Sequence, residues 1–522
     1  MSRAALQRFV VHTSDGPLGA VYRRLYRAPE RLARRWLPAD VIDVTAIRSI
    51  DAPGFLVGVS DIDLLAVIRS SSGERHVDTA AAIARGNHLL KRLFPFFQHC
   101  FSVTEQELRL PAADHWLGVY SPSFRARLPL LPARPTFARL LALQHACRWL
   151  FRGGPMPAMF HDRRGGTLVN YQRRSFRILR ELAFGLGRAG DTLHDEATFG
   201  LWQRRVANSA GLPWADGVGL AESCGWYTSP EGVLAVWRFA LEAARSLDLS
   251  VGVPETSEPD DRPAPVPEWM GSVGSVFERL GVRIVAGGSG ERETDDEAYL
   301  IVEEDREVTS ALFSTIARTW RACRGQSPAI AGVAPMIVTP SLLRWLCAVT
   351  PWRSDRLRAA EDASARSIVG TSFPWQQHAR LATLFWVCRD FREDIQGTPD
   401  EIASIARFSL PRLLIATVEG HAPATPERVH ARFLECFGGS AWGYEALREG
   451  AYRLEHSRAG LAARVRFFAA GLPLATAAFE RLLAAVESLP SAPPLPALKG
   501  PTPLLDRLGT VGDAPRSTNR TS

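Results

Sequence analysis

Lysine is almost absent from this chain. Its 522 residues include 62 basic side chains, of which only Lys91 and Lys499 are lysines, so the other 60 are arginines. A phosphate-binding loop of the GxxxxGK[ST] type needs a lysine directly after a glycine, and neither lysine has that neighbour. A Schiff-base enzyme would have to use one of these two amines. The composition therefore disfavours both classes of enzyme.

Paired cysteines and long apolar runs are missing as well. The seven cysteines are widely spaced, form no CxxC motif and lie mostly in apolar stretches, which is typical of reduced, buried thiols. No apolar run approaches the roughly 18 residues of a membrane span. The first residues lack the apolar core and cleavage site of a signal peptide. We therefore expect a cytoplasmic protein with no membrane partner.

The basic residues are not concentrated in a stripe. The formal net charge is only +7 over 522 residues, and the arginine clusters are short and scattered. Nucleic-acid-binding proteins usually concentrate their positive charge on one face or along one helix. The chain therefore carries no strong nucleic-acid signature, and a solvated arginine-rich surface is the expected arrangement.

Two proline-rich segments divide the chain. Residues 253–268 contain five prolines and five acids, which indicates a linker, and residues 490–522 indicate a disordered tail. The other segments alternate in character, with β-branched runs at 41–47, 61–68, 100–108, 282–286, 299–302 and 335–339, and with helical spacing at 18–36 and 76–94. We predict an α+β fold with a mixed segment at 1–130, a helical domain at 131–252, an α/β module at 269–350 and a helical domain at 351–489.

Two aspartates mark the start of the second predicted strand. Asp61 and Asp63 are two residues apart, so both side chains point to one face of the strand. Two carboxylates in this arrangement can hold one or two divalent cations, and hard oxygen ligands favour Mg²⁺ or Mn²⁺. A solvated turn with two aspartates is the alternative. The preceding strand ends near Ser49, where a hydroxyl and backbone N–H groups can hold phosphates.

This segment resembles a known family. A strand ending in serine, a loop of about ten residues, and then Ser60-Asp61-Ile62-Asp63-Leu64 is similar to the signature of DNA polymerase beta-like nucleotidyltransferases, especially the bacterial minimal nucleotidyltransferases and aminoglycoside adenylyltransferases. The resemblance covers roughly residues 40–108. It implies a nucleotidyltransferase-like mixed sheet, Asp61 and Asp63 as catalytic metal ligands, and Arg48, Ser49 and Ser60 as nucleotide-binding residues.

The chain departs from the family pattern at two positions. The glycine that precedes the serine in the family is Arg48 here, which either clamps a phosphate or obstructs the close approach that glycine permits. The third carboxylate of the family, on the next strand, has no counterpart in Gln98-His99-Cys100. His99 or Glu105 could replace it.

A similar pattern recurs after the linker. Val282 to Ala286 is followed by Gly287-Gly288-Ser289, and Asp295-Asp296-Glu297 then enters another apolar run. Asp61 precedes a Val-Thr pair (Val103-Thr104) by 42 residues, and Asp295 precedes another (Val338-Thr339) by 43. This spacing favours a degenerate repeat of the first module at 269–350, which we expect to be structural or nucleotide-binding and not catalytic. An unrelated α/β module with a glycine loop is the alternative.

The resemblance implies transfer of a nucleoside monophosphate from ATP or another nucleoside triphosphate to a hydroxyl. The acceptor, which could be a small molecule, a protein or an RNA, stays open, and so does the base. The helical domain offers five carboxylates for that role: Asp162, Glu181, Asp191, Asp195 and Glu196. The alternative is a catalytically inactive nucleotidyltransferase fold that binds a nucleotide or a partner as a scaffold. A third hypothesis is a toxin-like transferase that modifies protein or tRNA.

Overall fold

The computed structural model combines many helices with small sheets of two and three strands. It describes residues 16–46, 62–69, 74–105, 135–161, 171–187, 196–214, 225–254, 267–287, 297–330, 333–358, 371–393, 403–419, 426–455, 461–489 and 502–508, with a few single positions between these ranges. The predicted α+β class is confirmed in this coarse sense. The nucleotidyltransferase-like fold stays a proposal.

A first module is built around a three-stranded sheet. Its elements are α1 (Leu18–Trp36), β1 (Val41–Ala46), β2 (Ile62–Ile68), α2 (Glu74–Leu93) and β3 (Phe97–Thr104). The strand order is β1-β2-β3, with β1 antiparallel to β2 and β2 parallel to β3. Parallel neighbours require a crossover connection, which α2 provides.

Helices α1 and α2 cover one face of this sheet. Alternate residues of β2 pack there with residues of both helices, namely Tyr26, Ala33, Ile62, Leu64, Ala66, Ile68, Ile83 and Leu90. Successive side chains of a strand point to opposite faces, so Asp63, Leu65 and Val67 lie on the other face. Leu65 and Val67 are almost fully buried. Other parts of the chain therefore cover the second face as well.

Strand β3 lies at the edge of the sheet and is held by α2. The buried side-chain amide of Asn87 donates to the carbonyl oxygen of Cys100 at 3.0 Å, and the Cys100 N–H donates back to Asn87 Oδ1 at 2.8 Å. An edge strand otherwise presents such groups without partners. The two hydrogen bonds fix the part of β3 that lies beside the start of β2.

A helical block follows the first module. It consists of α3 (Pro135–Arg148), a π-helical turn (Trp149–Gly153), α4 (Pro155–His161), α5 (Tyr171–Gly185), α6 (Glu196–Ala210) and α7 (Pro230–Ser246). Helix α3 packs along α5. Helix α7 begins where Ser229 caps it by accepting the Gly232 N–H at 3.2 Å, with Pro230 at the first helical position.

A second module has the same order of elements as the first. It comprises α8 (Trp269–Glu278), β5 (Val282–Gly287), β6 (Glu297–Val302), α9 (Ser310–Gln326) and β7 (Ala334–Val338). Here β5 is antiparallel to β6, and β6 is parallel to β7. The two sheets therefore share strand order and strand direction. Every residue of β6 is buried.

A second helical block follows, and one short ladder links the two halves of the chain. The helices are α10 (Pro340–Val349), α11 (Pro351–Arg358), α12 (Gln376–Glu393), α13 (Leu410–Glu419), α14 (Pro426–Phe437), α15 (Tyr444–Glu455), α16 (Leu461–Ser488) and α17 (Pro503–Leu508). A second π-helical turn, Ile405–Ser409, leads into α13. The two-residue strands β4 (Val253–Pro254) and β8 (Thr371–Ser372) pair in antiparallel fashion.

The prediction of a disordered tail is wrong for its central part. Helix α17 buries Leu505 and Leu508, and the N–H groups of Leu504 and Leu505 donate to the carboxylate of Glu242 on α7. Although the whole tail is poor in apolar residues, the segment at 502–508 carries three leucines, and its helix packs on α6 and α7. Residues 509–522 lie outside the described part of the chain.

Most predicted elements of the modules agree with the structure to within a few residues. Helix α1 spans the predicted 18–36, and β2 covers the predicted strand from its second residue. Strand β3 begins at Phe97, three residues before the predicted Cys100, because its pairing with β2 already starts at Phe97. Most of the predicted linker, residues 255–266, lies outside the described residues. The predicted domain boundaries stay predictions.

None of the helices in the described ranges is long and apolar enough to cross a membrane.

Replacing Asn87 tests the contact that anchors β3. We expect Asn87→Ala to lower the free energy of unfolding by about 2–4 kcal/mol, because it leaves the buried N–H and C=O of Cys100 without their partners. Urea unfolding measures the change, and the exposed neighbour His88→Ala serves as the control, with a change within about 0.5 kcal/mol. Equal effects of the two substitutions would contradict the anchoring role.

Candidate functional site

Asp63 is the predicted site residue that the structure places most clearly. It is the second residue of β2, half-buried, on the sheet face opposite α1 and α2. The position is fixed by strand alternation, because its neighbours Ile62 and Leu64 fill the core under the two helices. The carboxylate is thus directed away from the first module's own helices, at the end of the strand where β2 begins.

The neighbouring strand places His99 beside this aspartate. The backbone of Asp63 pairs with that of His99, whereas Ile62 pairs with Phe97, so the ladder contains an irregularity at Gln98. Such irregularities are frequent next to active sites, where they change the direction of a side chain. His99 therefore holds the position in register with Asp63, and Glu105 directly follows β3. The structure does not choose between these two substitutes for the third carboxylate.

The charge of Asp63 affects the thiol of Cys100 on the adjacent strand β3. Burial raises the pKa of the Cys100 thiol to about 12, and the negative charge of Asp63 contributes to the shift. At neutral pH this thiol is therefore protonated and is a poor nucleophile or metal ligand. Cys100 is a packing residue of the sheet and not part of a reactive site.

The other predicted nucleotide and metal ligands lie outside the described residues. These are Arg48, Ser49, Ser60 and Asp61. Among the carboxylates considered as the acceptor base, Asp162, Asp191 and Asp195 also lie outside, and Glu196 begins helix α6.

Glu181 is placed where it cannot act as a solvent-accessible base. Its side chain is buried in the first helical block, with Arg180 Nη2 2.5 Å and His145 Nδ1 3.6 Å from its Oε1. The guanidinium of Arg180 stabilises the charged carboxylate, and the burial keeps an acceptor from reaching it. Glu181 is therefore a structural residue of the α3–α5 pair.

The strand registers identify the counterpart of Asp63 in the second module. Val67 pairs with Val103 in the first sheet, and Ile301 pairs with Val338 in the second. Matching these pairs places Glu297 of β6 at the position of Asp63, four residues before the matched residue in each strand. The second acid of the expected acid-x-acid pattern at 295–297 is Glu297. It lies at the start of β6, as Asp63 lies at the start of β2.

Glu297 is saturated by side chains of the protein itself. It is 1 % exposed and accepts four hydrogen bonds: from Arg353 Nε and Nη2, both at 3.2 Å, from Arg152 Nε at 3.2 Å and from the Tyr299 hydroxyl at 2.6 Å. A carboxylate offers about four acceptor positions. The ring of Trp352 lies 5.2 Å and 4.8 Å from the two guanidinium carbons. A metal would have to displace two arginines to bind here.

The protonation states in this cluster fit an ion-paired carboxylate. Burial alone would lower the pKa of the Arg353 guanidinium, but the adjacent Glu297 outweighs it, and the pKa is raised. Burial and the charge of Glu297 raise the pKa of Tyr299 well above its usual value, so its hydroxyl stays a hydrogen-bond donor. The sequence pattern indicated Glu297 but not its partners, because Arg152 and Arg353 are distant in the chain. The sequence signal for this site was a single charged residue, Glu297, directly before an apolar run that extends to Val302.

Within the ranges that the structure describes, no three His, Cys, Asp or Glu side chains converge in a way that could hold a metal ion. The carboxylate of Asp63 has hard oxygen atoms, and its predicted partner Asp61 precedes β2 by one residue in the sequence. The chemistry of this donor pair suits Mg²⁺ or Mn²⁺.

Comparison with protein-family models, curated proteins and solved structures finds no match for this chain.

The buried ion cluster provides a direct test of the second module. We expect Arg353→Met to lower the free energy of unfolding by about 3–5 kcal/mol, because it removes two hydrogen bonds from a buried carboxylate. Urea unfolding measures the loss. Arg344→Met is the matched control, since Arg344 is exposed on α10. A loss no larger than that of the control would show that the cluster does not hold the module together.

Proposed function

We propose that the chain is a metal-dependent nucleotidyltransferase whose reaction takes place at the first module. The observation that carries this proposal is the placement of Asp63: half-buried at the start of β2, on the sheet face away from α1 and α2. Asp61 lies two residues before Asp63 in the sequence, and we propose that the two carboxylates would hold Mg²⁺ or Mn²⁺ together. The bound cation would neutralise triphosphate charge and polarise the α-phosphate.

The side chains around this position have distinct proposed roles. Ser49, which follows β1 in the sequence, and Ser60, which precedes β2, would bind the nucleotide through hydroxyl and backbone N–H groups. Arg48 clamps a phosphate, since a guanidinium forms paired hydrogen bonds with phosphate oxygens and no lysine lies nearby in the sequence. Asp63 and His99 hold paired backbone positions on β2 and β3, and we place the site at this end of the two strands.

The proposed reaction is a displacement at phosphorus. The acceptor hydroxyl oxygen forms a bond to the α-phosphorus, and the bond from that phosphorus to the oxygen bridging to the β-phosphate breaks. Pyrophosphate leaves with the electron pair of the broken bond. A base takes the hydroxyl proton, and Glu181 is excluded from this role by its burial and its ion pairs.

The contrast between the modules supports assignment of the reaction to the first. Glu297 holds the place of Asp63 in the second module, but two arginines and a tyrosine occupy its oxygens. We therefore propose that the second module is structural. An inactive first module, serving as a nucleotide-binding scaffold, is the alternative that the following experiment separates from an enzyme.

Substitution of Asp63 tests the proposed activity. We expect Mg²⁺-dependent release of pyrophosphate from ATP, in the presence of a cell lysate as a source of acceptor, to fall by about 10²–10³-fold in Asp63→Ala, because the transition-state charge loses a metal ligand. Asp78→Ala, an exposed aspartate on α2, is the control and should retain the activity.

Isothermal titration of Mg²⁺-ATP accompanies this assay. Binding by the wild type without pyrophosphate release, unchanged by Asp63→Ala, would overturn the enzyme and favour the scaffold. Labelled nucleotide appearing on protein or RNA of the lysate would identify the class of acceptor.

A further inference from the structure

The internal similarity of the chain extends beyond the two sheets. Residues 138–148, in α3, have the sequence ARLLALQHACR, and residues 379–389, in α12, have ARLATLFWVCR. Six of these eleven positions are identical at a constant offset of 241 residues. The match lies in α3, the first described helix after the first sheet, and in α12, the third described helix after the second sheet, and these two helices are in contact.

The two matched helices pack against each other through equivalent residues. The rings of His145 and Trp386 are stacked with centroids 5.1 Å apart, and these residues occupy the same position in the match. Gln144 Nε2 also donates to the carbonyl oxygen of Ala379 at 2.7 Å, across the same contact. Equivalent residues of two copies meet in this way at a two-fold axis.

Other contacts between the halves are reciprocal. Helix α12 of the second half packs against β3 of the first sheet, while the π-helical turn Trp149–Gly153 of the first half packs against β7 of the second. Helix α16 packs on α2, and α7 packs on α9. The chain is thus arranged as a fused pseudo-dimer in which each half contributes helices to the other half's module.

This arrangement gives Arg152 a counterpart. After the shared Cys-Arg, the first half continues Trp149-Leu150-Phe151-Arg152 and the second continues Asp390-Phe391-Arg392. The first half has one residue more, which the wider π-helical turn Trp149–Gly153 accommodates. Arg392, near the end of α12, therefore corresponds to Arg152.

We propose that Arg392 binds the triphosphate at the first module's site. Arg152 reaches from the first half to Glu297 in the second module, and Asp63 is the counterpart of Glu297. By the same symmetry, the position of Arg392 near the end of α12 is the one from which the second half would reach the side of the first sheet on which Asp63 lies. A carboxylate that holds a cation leaves the guanidinium to the phosphate oxygens. The inference rests on the proposed function and makes the site a composite of both halves.

Nucleotide binding tests this assignment. Isothermal titration of Mg²⁺-ATP should show at least tenfold weaker binding for Arg392→Gln than for the wild type, with partial recovery in Arg392→Lys, since lysine restores the charge without the fork of donors. Arg389→Gln is the matched control on the same helix, because its counterpart Arg148 is not the arginine that bonds Glu297. It should change the affinity by twofold or less.

The outcomes separate the two proposals. Equal affinities of the wild type and Arg392→Gln would overturn the role of Arg392 and leave the proposed function standing. If the wild type does not bind Mg²⁺-ATP, the proposed function is overturned. A second measurement, of stability, then tests whether Arg392 lies near Asp63. In urea unfolding of Asp63→Asn, Arg392→Gln and the double variant, neighbouring charges give midpoint shifts that do not add. Additive shifts would overturn the placement of Arg392 at this site.

Discussion

Contacts between the two halves organise the described part of the chain, because each three-stranded sheet packs against helices of the opposite half. In the first sheet, α1 and α2 cover one face, yet Leu65 and Val67 on the opposite face are also buried. In the second sheet, β6 is buried along its entire length. Helices of the opposite half pack against both sheets, α12 against β3 and α4 against β7. Each module therefore depends on the other half for a complete core.

The contacts between the halves also explain why Glu297 differs from its counterpart Asp63. Arg152, brought across by the first half, bonds Glu297 directly and leaves no acceptor position of the carboxylate open. The counterpart Asp63 lies at the start of β2 with a shorter side chain and remains half-buried. We propose that the second module is structural because two arginines bond its carboxylate, Glu297.

The sequence predicted most of the strands well, because the alternation of apolar and polar residues and the β-branched runs are patterns that extend over only a few residues. Asp63 at the head of β2 and the acid at the head of β6 were both visible in this way. The partners of Glu297 were not, since Arg152 and Arg353 reach it through tertiary packing. The order at 502–508 was missed for a similar reason, because Leu505 and Leu508 pack on a helix more than 250 residues away in the chain. The shared ARLxxLxxxCR pattern was present in the sequence, but only the contact of His145 with Trp386 showed that the two copies pair.

The most direct test of the account is to measure which module binds a divalent cation. Electron paramagnetic resonance of Mn²⁺, titrated in the presence of ATP, reports bound ions without requiring the acceptor. The account predicts a bound signal in the wild type that is lost in Asp63→Asn and retained in Glu297→Gln, with folding of both variants checked by circular dichroism. A signal retained in Asp63→Asn and lost in folded Glu297→Gln would contradict it.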